Sequence, residues 1–130
     1  MQAFEAALDT TLRAIGVRRK VCVLGDVPTL KHGMPYASVM ARRRGIDLGL
    51  VALPSADADR QLGRVNAYFE ELRQRNALRF VDLKQRLCTG STCALLSADG
   101  QSLYRGDNHL TLAGAEFVRP TVESCFDGID

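Results

Sequence analysis

One histidine stands where a general base could be held firmly and still be reached. His109 follows the turn-forming run Gly106-Asp107-Asn108 and directly precedes a predicted helix. The acidic side chain just upstream, Asp107, can accept a hydrogen bond from one ring nitrogen. That bond would fix the tautomer and leave the other nitrogen free to take a proton from a nucleophile. From the spacing alone, a loop histidine bonded to the backbone explains the pattern equally well.

The four cysteines form a second candidate feature. Cys88 and Cys93 bracket the polar segment Thr-Gly-Ser-Thr, which can fold back far enough to bring the two Cα atoms within disulfide range, so we expect a Cys88–Cys93 disulfide. The alternative is a zinc site of both cysteines and His109, but the spacing is not C-x2-C and no fourth ligand is evident. We therefore expect no metal and no other cofactor. Cys22 lies in an apolar run and is expected to be a buried thiol, while Cys125 ends a helical pattern.

The composition is that of a single soluble globular domain. The chain has 130 residues, of which 46% are hydrophobic and 25% charged, and its net charge of +2 is too small to indicate a nucleic-acid partner. The basic triplet at 42–44 is interpreted as the solvated end of a helix. No apolar run approaches the roughly 18 residues of a membrane span, and the first residues lack the order of a signal peptide.

The first half of the sequence predicts helices around one strand. Apolar spacing predicts a helix over 2–15, and the apolar run 21–24 predicts a strand of a parallel sheet, followed by the loop Gly25-Asp26-Val27-Pro28. Pro35 can open a short helix over 36–44. The segment 46–53 is either a strand or an apolar loop. A long helix follows, capped by Ser55 or Asp57 and ending at Asn76.

The second half predicts another strand and a hairpin. Residues 78–81 form the second core strand, and 94–96 and 102–104 flank the turn at Asp99-Gly100. Thr111 can cap a final helix, which Pro120 should kink or restart. Alternating helices and strands indicate an α/β fold with right-handed crossovers. Because two core strands and a hairpin make a thin sheet, we expect residues 1–130 to be one incomplete domain.

Four short motifs occur in a recognisable order along the chain. They are G-D-V-P at 25–28, L-C-x4-C at 87–93, D-G-x2-L-Y at 99–104 and N-H-L-T-x2-G-A at 108–115. Together they resemble the ending of the SGNH (GDSL-like) domain fused to the membrane acyltransferase-3 proteins that O-acetylate bacterial surface polysaccharides. The resemblance implies a partial flavodoxin-like, three-layer α/β/α fold with a parallel sheet. It also implies a periplasmic or other extracytoplasmic location within a larger membrane protein, where a disulfide can persist.

The resemblance implies acyl transfer or ester hydrolysis through a serine nucleophile, a histidine base and usually an aspartate. The histidine corresponds to His109. The family aspartate stands three residues earlier, where this chain has Gly106, and Asp107 lies one place later. Asp107 could still reach around a flexible turn, and a serine–histidine dyad is the other possibility.

The blocks that carry the family's nucleophile and oxyanion hole are missing from this sequence. Gly25-Asp26 is followed by Val27 where a nucleophile block would need serine, and G-x-S-x-G does not occur. Ser91 is the only serine in a suggestive loop, and we interpret it as a turn residue. Loss of the serine can cost about 10⁶ in turnover, so the chain alone is expected to be inactive.

The sequence therefore predicts the C-terminal part of an O-acyltransferase or esterase domain with His109 as base. Its substrate would be an acyl, chiefly acetyl, ester of cell-envelope polysaccharide. Its partner would be the serine-bearing N-terminal half or a membrane acyltransferase domain. The alternative hypothesis is a serine-less, non-catalytic module that binds a glycan or another subunit.

Overall fold

A computed structural model describes residues 2–16 and 20–128 of the chain. The helices are α1 (Gln2–Ile15), α2 (Met34–Arg43), α3 (Ser55–Gln74), α4 (Leu83–Leu87) and α5 (Leu112–Glu123). The strands are β1 (Cys22–Leu24), β2 (Arg79–Val81), β3 (Tyr104–Arg105) and β4 (His109–Leu110). Short 3-10 turns cover Leu48–Leu50 and Ser124–Phe126. In this part of the chain, no helix is both long and apolar enough to cross a membrane.

The central feature is the parallel pairing of β1 with β2. Cys22 lies opposite Arg79, and Leu24 lies opposite Val81. The ladder extends by one hydrogen bond at each end: the Arg79 N–H donates to the Val21 carbonyl at 2.7 Å, and the Gly25 N–H donates to the Val81 carbonyl at 2.8 Å. The predicted parallel strands are therefore confirmed, each one residue shorter than the apolar run that predicted it.

One face of this ladder is covered by α1 and α3. Alternate side chains of the strand region, from Val21, Val23 and Phe80, pack against apolar side chains of the two helices. The helical side of this cluster consists of Leu8, Leu12, Val65, Tyr68, Phe69 and Leu72. The predicted bounds of α1 are confirmed, because its apolar spacing matches the stripe that the strands require.

The opposite face of the ladder is covered by the C-terminal part of the chain. Val81 and Cys22 belong to the larger core cluster, which also includes Val118 of α5. A disulfide joins Cys22 to Cys125, with the Cα atoms 5.9 Å apart, and the Arg79 guanidinium donates to the Cys125 carbonyl at 2.7 Å. The prediction that Cys22 is a thiol was therefore wrong, because the chain end folds back across the strand that carries it.

The region before α5 contains two successive antiparallel pairings. The Asp99-Gly100 turn is flanked by an isolated bridge between Leu96 and Ser102, in place of the longer hairpin that was predicted. The chain then pairs again, β3 with β4. The turn between them contains Gly106 in the left-handed conformation, with φ of 70°. His109 thus lies on a short strand that leads into α5.

Several predicted element boundaries were wrong for local reasons. Of the two alternatives for segment 46–53, the loop is confirmed: it contains a 3-10 turn at Leu48–Leu50, where the Asp47 carboxylate accepts a hydrogen bond from the Gly49 N–H at 2.9 Å. The residue preceding α3 is Pro54, which makes no side-chain cap, so neither predicted serine nor aspartate cap forms. Pro35 does open α2, and α5 continues through Pro120 without restarting.

Gly114 in α5 is required by close packing. A Cβ at this position would overlap the Leu103 carbonyl oxygen and press on the Leu110 side chain. Gly63, in the exposed middle of α3, has no atom within 4 Å of such a Cβ. The same substitution at the two helical glycines should therefore have opposite effects.

We expect Gly114→Ala to lower the free energy of unfolding by about 1–3 kcal/mol, because backbone must move to admit the methyl group. Gly63→Ala is the matched control and should raise it by about 0.5–1 kcal/mol through helix propensity. Urea unfolding followed by circular dichroism measures both. Equal effects of the two substitutions would contradict the close packing of α5 on Leu103.

Candidate active site

The backbone around His109 is fixed on both sides of the residue. His109 pairs with Arg105 across the β3–β4 hairpin. Two residues on, the Thr111 hydroxyl accepts a hydrogen bond from the Gly114 N–H at 3.1 Å and donates to the Ser102 carbonyl at 2.6 Å. The predicted cap of α5 by Thr111 is confirmed. The His109 side chain itself is exposed, so a firmly held backbone presents an accessible imidazole.

Asp107 connects the turn before His109 to the loop that follows β1. Its carbonyl accepts a hydrogen bond from the Leu30 N–H at 2.7 Å. Its carboxylate lies 3.5 Å from Nδ1 of His32. The His32 side chain is 98% exposed, so solvent screens this contact and it contributes little to stability.

The structure does not join Asp107 to His109. Within residues 2–16 and 20–128, the His109 imidazole has no hydrogen bond or ion pair, and the Asp107 carboxylate faces His32. The position three residues before the histidine is Gly106, which provides no side chain. The described site is thus an exposed imidazole without an orienting acid.

A buried tyrosine hydroxyl lies on the strand next to the site. Tyr104 is only 2% exposed, and its hydroxyl has no hydrogen-bond partner among the described residues. Burial raises the pKa of Tyr104 well above its usual range, and the negative charge of Asp26 raises it further. The hydroxyl is therefore neutral at physiological pH and keeps a proton that it can donate. Asp26, in the loop after β1, accepts a hydrogen bond from the Val27 N–H at 2.8 Å.

The loop closed by Cys88 and Cys93 contacts the start of α3. The two cysteines form the predicted disulfide, with the Cα atoms 3.9 Å apart. The Ser91 carbonyl accepts a hydrogen bond from the Ser55 N–H at 2.9 Å, which ties the loop to α3. Both sulfurs are consumed by the disulfide, so they are not thiolates and the zinc alternative has no support. No group of three potential metal ligands occurs in the part of the chain that the structure describes.

Sequence reasoning missed three residues of this region: His32, Asp26 and Tyr104. His32 is the other of the two histidines in the chain, but it lies in an irregular segment with no periodic pattern around it. Asp26 and Tyr104 each belong to one of the four motifs. Their proximity was missed, because nothing in the sequence spacing indicates that residues 26 and 104 are near each other. The even number of cysteines was the one signal for the second disulfide.

Comparison with protein families identifies the group to which these features belong. The family model described as "SGNH domain (fused to AT3 domains)" matches residues 1–124. The chain belongs to this family. No curated protein and no solved structure matches the sequence. The motif-based resemblance is confirmed, and the chain is an SGNH domain of the kind associated with acyltransferase-3 fusions.

The two disulfides of this SGNH domain should contribute unequally to its stability. Cys22 and Cys125 are 103 residues apart, while Cys88 and Cys93 are 5 apart. On the chain-entropy relation, a disulfide that closes a loop of about 100 residues stabilises the folded protein by about 4.7 kcal/mol, and one that closes a loop of a few residues stabilises it by about 2 kcal/mol. The longer loop also holds the end of α5 against β1.

We therefore expect Cys22→Ala/Cys125→Ala to lower the guanidinium unfolding midpoint about twice as far as Cys88→Ala/Cys93→Ala. The double substitution in the short loop is the matched control for loss of two sulfurs. Unfolding curves recorded without reductant check the order. A larger loss from the short loop would contradict the tethering of α5 by Cys22–Cys125.

Proposed function

We propose that this SGNH domain is the C-terminal part of an acyl-transfer or ester-hydrolysing centre in which His109 is the general base. The observation that carries the proposal is the exposed imidazole on a strand that leads directly into a capped helix. Membership of the SGNH family supports acyl transfer as the reaction class. The serine nucleophile would come from sequence that this chain does not contain.

The proposed chemistry passes an acyl group through that serine. The His109 imidazole takes the hydroxyl proton as the serine oxygen attacks the ester carbonyl, and the imidazolium then gives the proton to the departing alcohol. In the second half, the imidazole takes a proton from a sugar hydroxyl or from water, whose oxygen attacks the acyl-serine carbonyl, and the imidazolium returns the proton to the departing serine oxygen. Each half forms one carbon–oxygen bond and breaks one.

The proposed site needs an acid that orients His109, and the Asp107 carboxylate lies beside His32 instead. In our proposal Asp107 orients the imidazole only when its carboxylate leaves His32 and turns toward the hairpin. Otherwise the reaction uses a serine–histidine dyad. Gly106 has φ of 70°, where aspartate and asparagine are tolerated better than most residues, and a Cβ there would meet no atom within 4 Å.

The proposed substrate is an acetyl ester of cell-envelope polysaccharide, and the proposed location is outside the cytoplasmic membrane. Two disulfides support an oxidising compartment. The association of the family with acyltransferase-3 domains supports a membrane acyltransferase as partner or neighbour. Further strands from the serine-bearing part would widen the parallel sheet and complete a flavodoxin-like three-layer α/β/α fold.

The alternative function is a non-catalytic module that binds another subunit. The parallel sheet of the described residues has only two strands, which is narrow for an α/β fold, and this supports the binding module as an alternative to the enzyme. The alternative predicts stable association without turnover.

The test is complementation of the chain by the serine-bearing half of an SGNH domain, supplied separately or as a fusion, with acetyl-ester hydrolysis as the readout. We expect turnover that His109→Ala lowers by at least about 10³-fold, because the nucleophile loses its base. Ser91→Ala is the control and should keep full activity. Turnover that survives His109→Ala would contradict the role of His109, and complex formation without turnover would favour the binding module.

We further expect Gly106→Asp to raise kcat/KM of the complemented domain by about tenfold or more, because a carboxylate returns to the family position. Gly106→Asn is the matched control: it has the same shape and backbone preference but no charge. The pH–rate profiles of the two variants should differ at neutral pH, where the added carboxylate is ionised, and should converge at low pH, where it is protonated and as uncharged as asparagine. An equal response to both substitutions would show that the charge at this position does not act on His109.

A further inference from the structure

An exposed arginine stands beside His109 on the β3–β4 hairpin. Arg105 pairs with His109 across the two strands, and the adjacent pair is Tyr104 with Leu110. Residues directly opposite each other in an antiparallel pair have their side chains on the same face, with the Cβ atoms about 5 Å apart. The adjacent pair packs against the core, so Arg105 and His109 share the outward face of the hairpin.

The guanidinium group of Arg105 is available to a ligand. Arg105 is exposed, and within residues 2–16 and 20–128 its guanidinium makes no hydrogen bond and no ion pair. By contrast, Arg73 and Arg75 form ion pairs within α3, and Arg119 forms them within α5. The donors of Arg105 therefore face solvent at the position next to the imidazole.

In the described part of the hairpin, no acidic side chain compensates this positive charge. The hairpin and the loop after β1 each contain one acid. The Asp107 carboxylate lies 3.5 Å from Nδ1 of His32. Asp26 is near the Tyr104 hydroxyl, since its charge raises the pKa of that residue, and Tyr104 points to the opposite face of the hairpin. The first turn of α5 has no acid either.

An unpaired guanidinium at this position is suited to an anionic group on the substrate. Its rigid fork of N–H donors matches a carboxylate or a phosphate through two parallel hydrogen bonds, which are stronger than those to a neutral hydroxyl. Exposed Lys31 adds a second cation on the loop that is bonded to the turn before His109. Because Arg105 and His109 are cross-strand neighbours, an anion bound by the arginine would lie within one sugar unit of an ester at the imidazole.

We propose that Arg105 binds the carboxylate or phosphate group of an acidic polysaccharide, next to the ester on which His109 acts. The position of the ester rests on the proposed function, whereas anion binding by Arg105 does not require the serine. The inference adds the substrate class: a glycan in which the acylated sugar, or the sugar next to it, carries a negative charge. Carboxylate and phosphate share the chemistry of two oxygens on one guanidinium, and separate probes distinguish them.

The test variants are Arg105→Gln and Arg105→Lys in the full chain. Glutamine removes the charge, while lysine keeps the charge and removes the planar fork. Arg13→Gln is the matched control for loss of one positive charge, because Arg13 is exposed on α1, which covers the other face of the β1–β2 ladder from α5. Circular dichroism and thermal unfolding establish that all three variants fold, and Arg105→Lys keeps a charged side chain on the same strand.

The probes are trigalacturonate for a carboxylate, glucose 6-phosphate for a phosphate and maltotriose for a neutral sugar. Titrations of the isotope-labelled chain are followed by nuclear magnetic resonance. We expect the Arg105 Nε–H and His109 ring signals to shift with at least one anionic probe and not with maltotriose. Arg105→Gln should raise the Kd for that probe at least about tenfold, Arg105→Lys should raise it less, and Arg13→Gln should leave it unchanged.

Three results of these titrations would overturn the proposal. They are equal shifts with maltotriose, absence of a shift at Arg105 with both anions, and equal losses of affinity in Arg105→Gln and Arg13→Gln. The anionic probe with the lower Kd identifies the group that Arg105 binds.

Turnover by the complemented domain separates this inference from the proposed function. The substrates are acetyl esters of the charged and the neutral trisaccharide. We expect the ratio of their kcat/KM values, charged over neutral, to fall at least about tenfold in Arg105→Gln and to persist in Arg13→Gln. Anion binding at Arg105 without turnover would support the glycan site and reject the catalytic role of His109. Turnover with the same ratio in both variants would support that catalytic role and overturn the inference.

Discussion

The parallel pairing of β1 with β2 is the constraint on which the remaining structure depends. A parallel ladder must be covered on both faces, and this one has only three residues in each strand. Each face therefore needs helices from distant parts of the chain: α1 and α3 on one side, and α5 on the other. The carboxyl end of the ladder then fixes where the loop after β1 emerges, and that loop is bonded to the turn before His109.

The position of His109 follows from how α5 is held. The start of the helix is fixed where Gly114 packs on the Leu103 carbonyl, and its end is fixed by the disulfide between Cys22 and Cys125. Close packing and a covalent bond thus act at opposite ends of one element. The imidazole stays exposed because it precedes the helix on a two-residue strand. The proposed role of His109 as a general base needs this combination of a rigid backbone and an accessible ring.

Among the described residues, no carboxylate is directed at the His109 ring. The nearby carboxylate of Asp107 is turned toward His32, and Gly106 provides no acid. Burial and the charge of Asp26 raise the pKa of the Tyr104 hydroxyl further above neutral pH, and this protonated hydroxyl has no acceptor among the described residues. A buried donor without an acceptor carries a cost in free energy.

The sequence by itself determined four of the five helices, the two core strands, the Cys88–Cys93 disulfide and the family, because each depends on local periodicity, short loops or motif order. Tertiary structure alone decided three other features. It paired Cys22 with Cys125 across 103 residues, it placed His109 on a strand, and it directed Asp107 toward His32. No local pattern carries this information, since contacts between distant segments are selected by packing around the ladder.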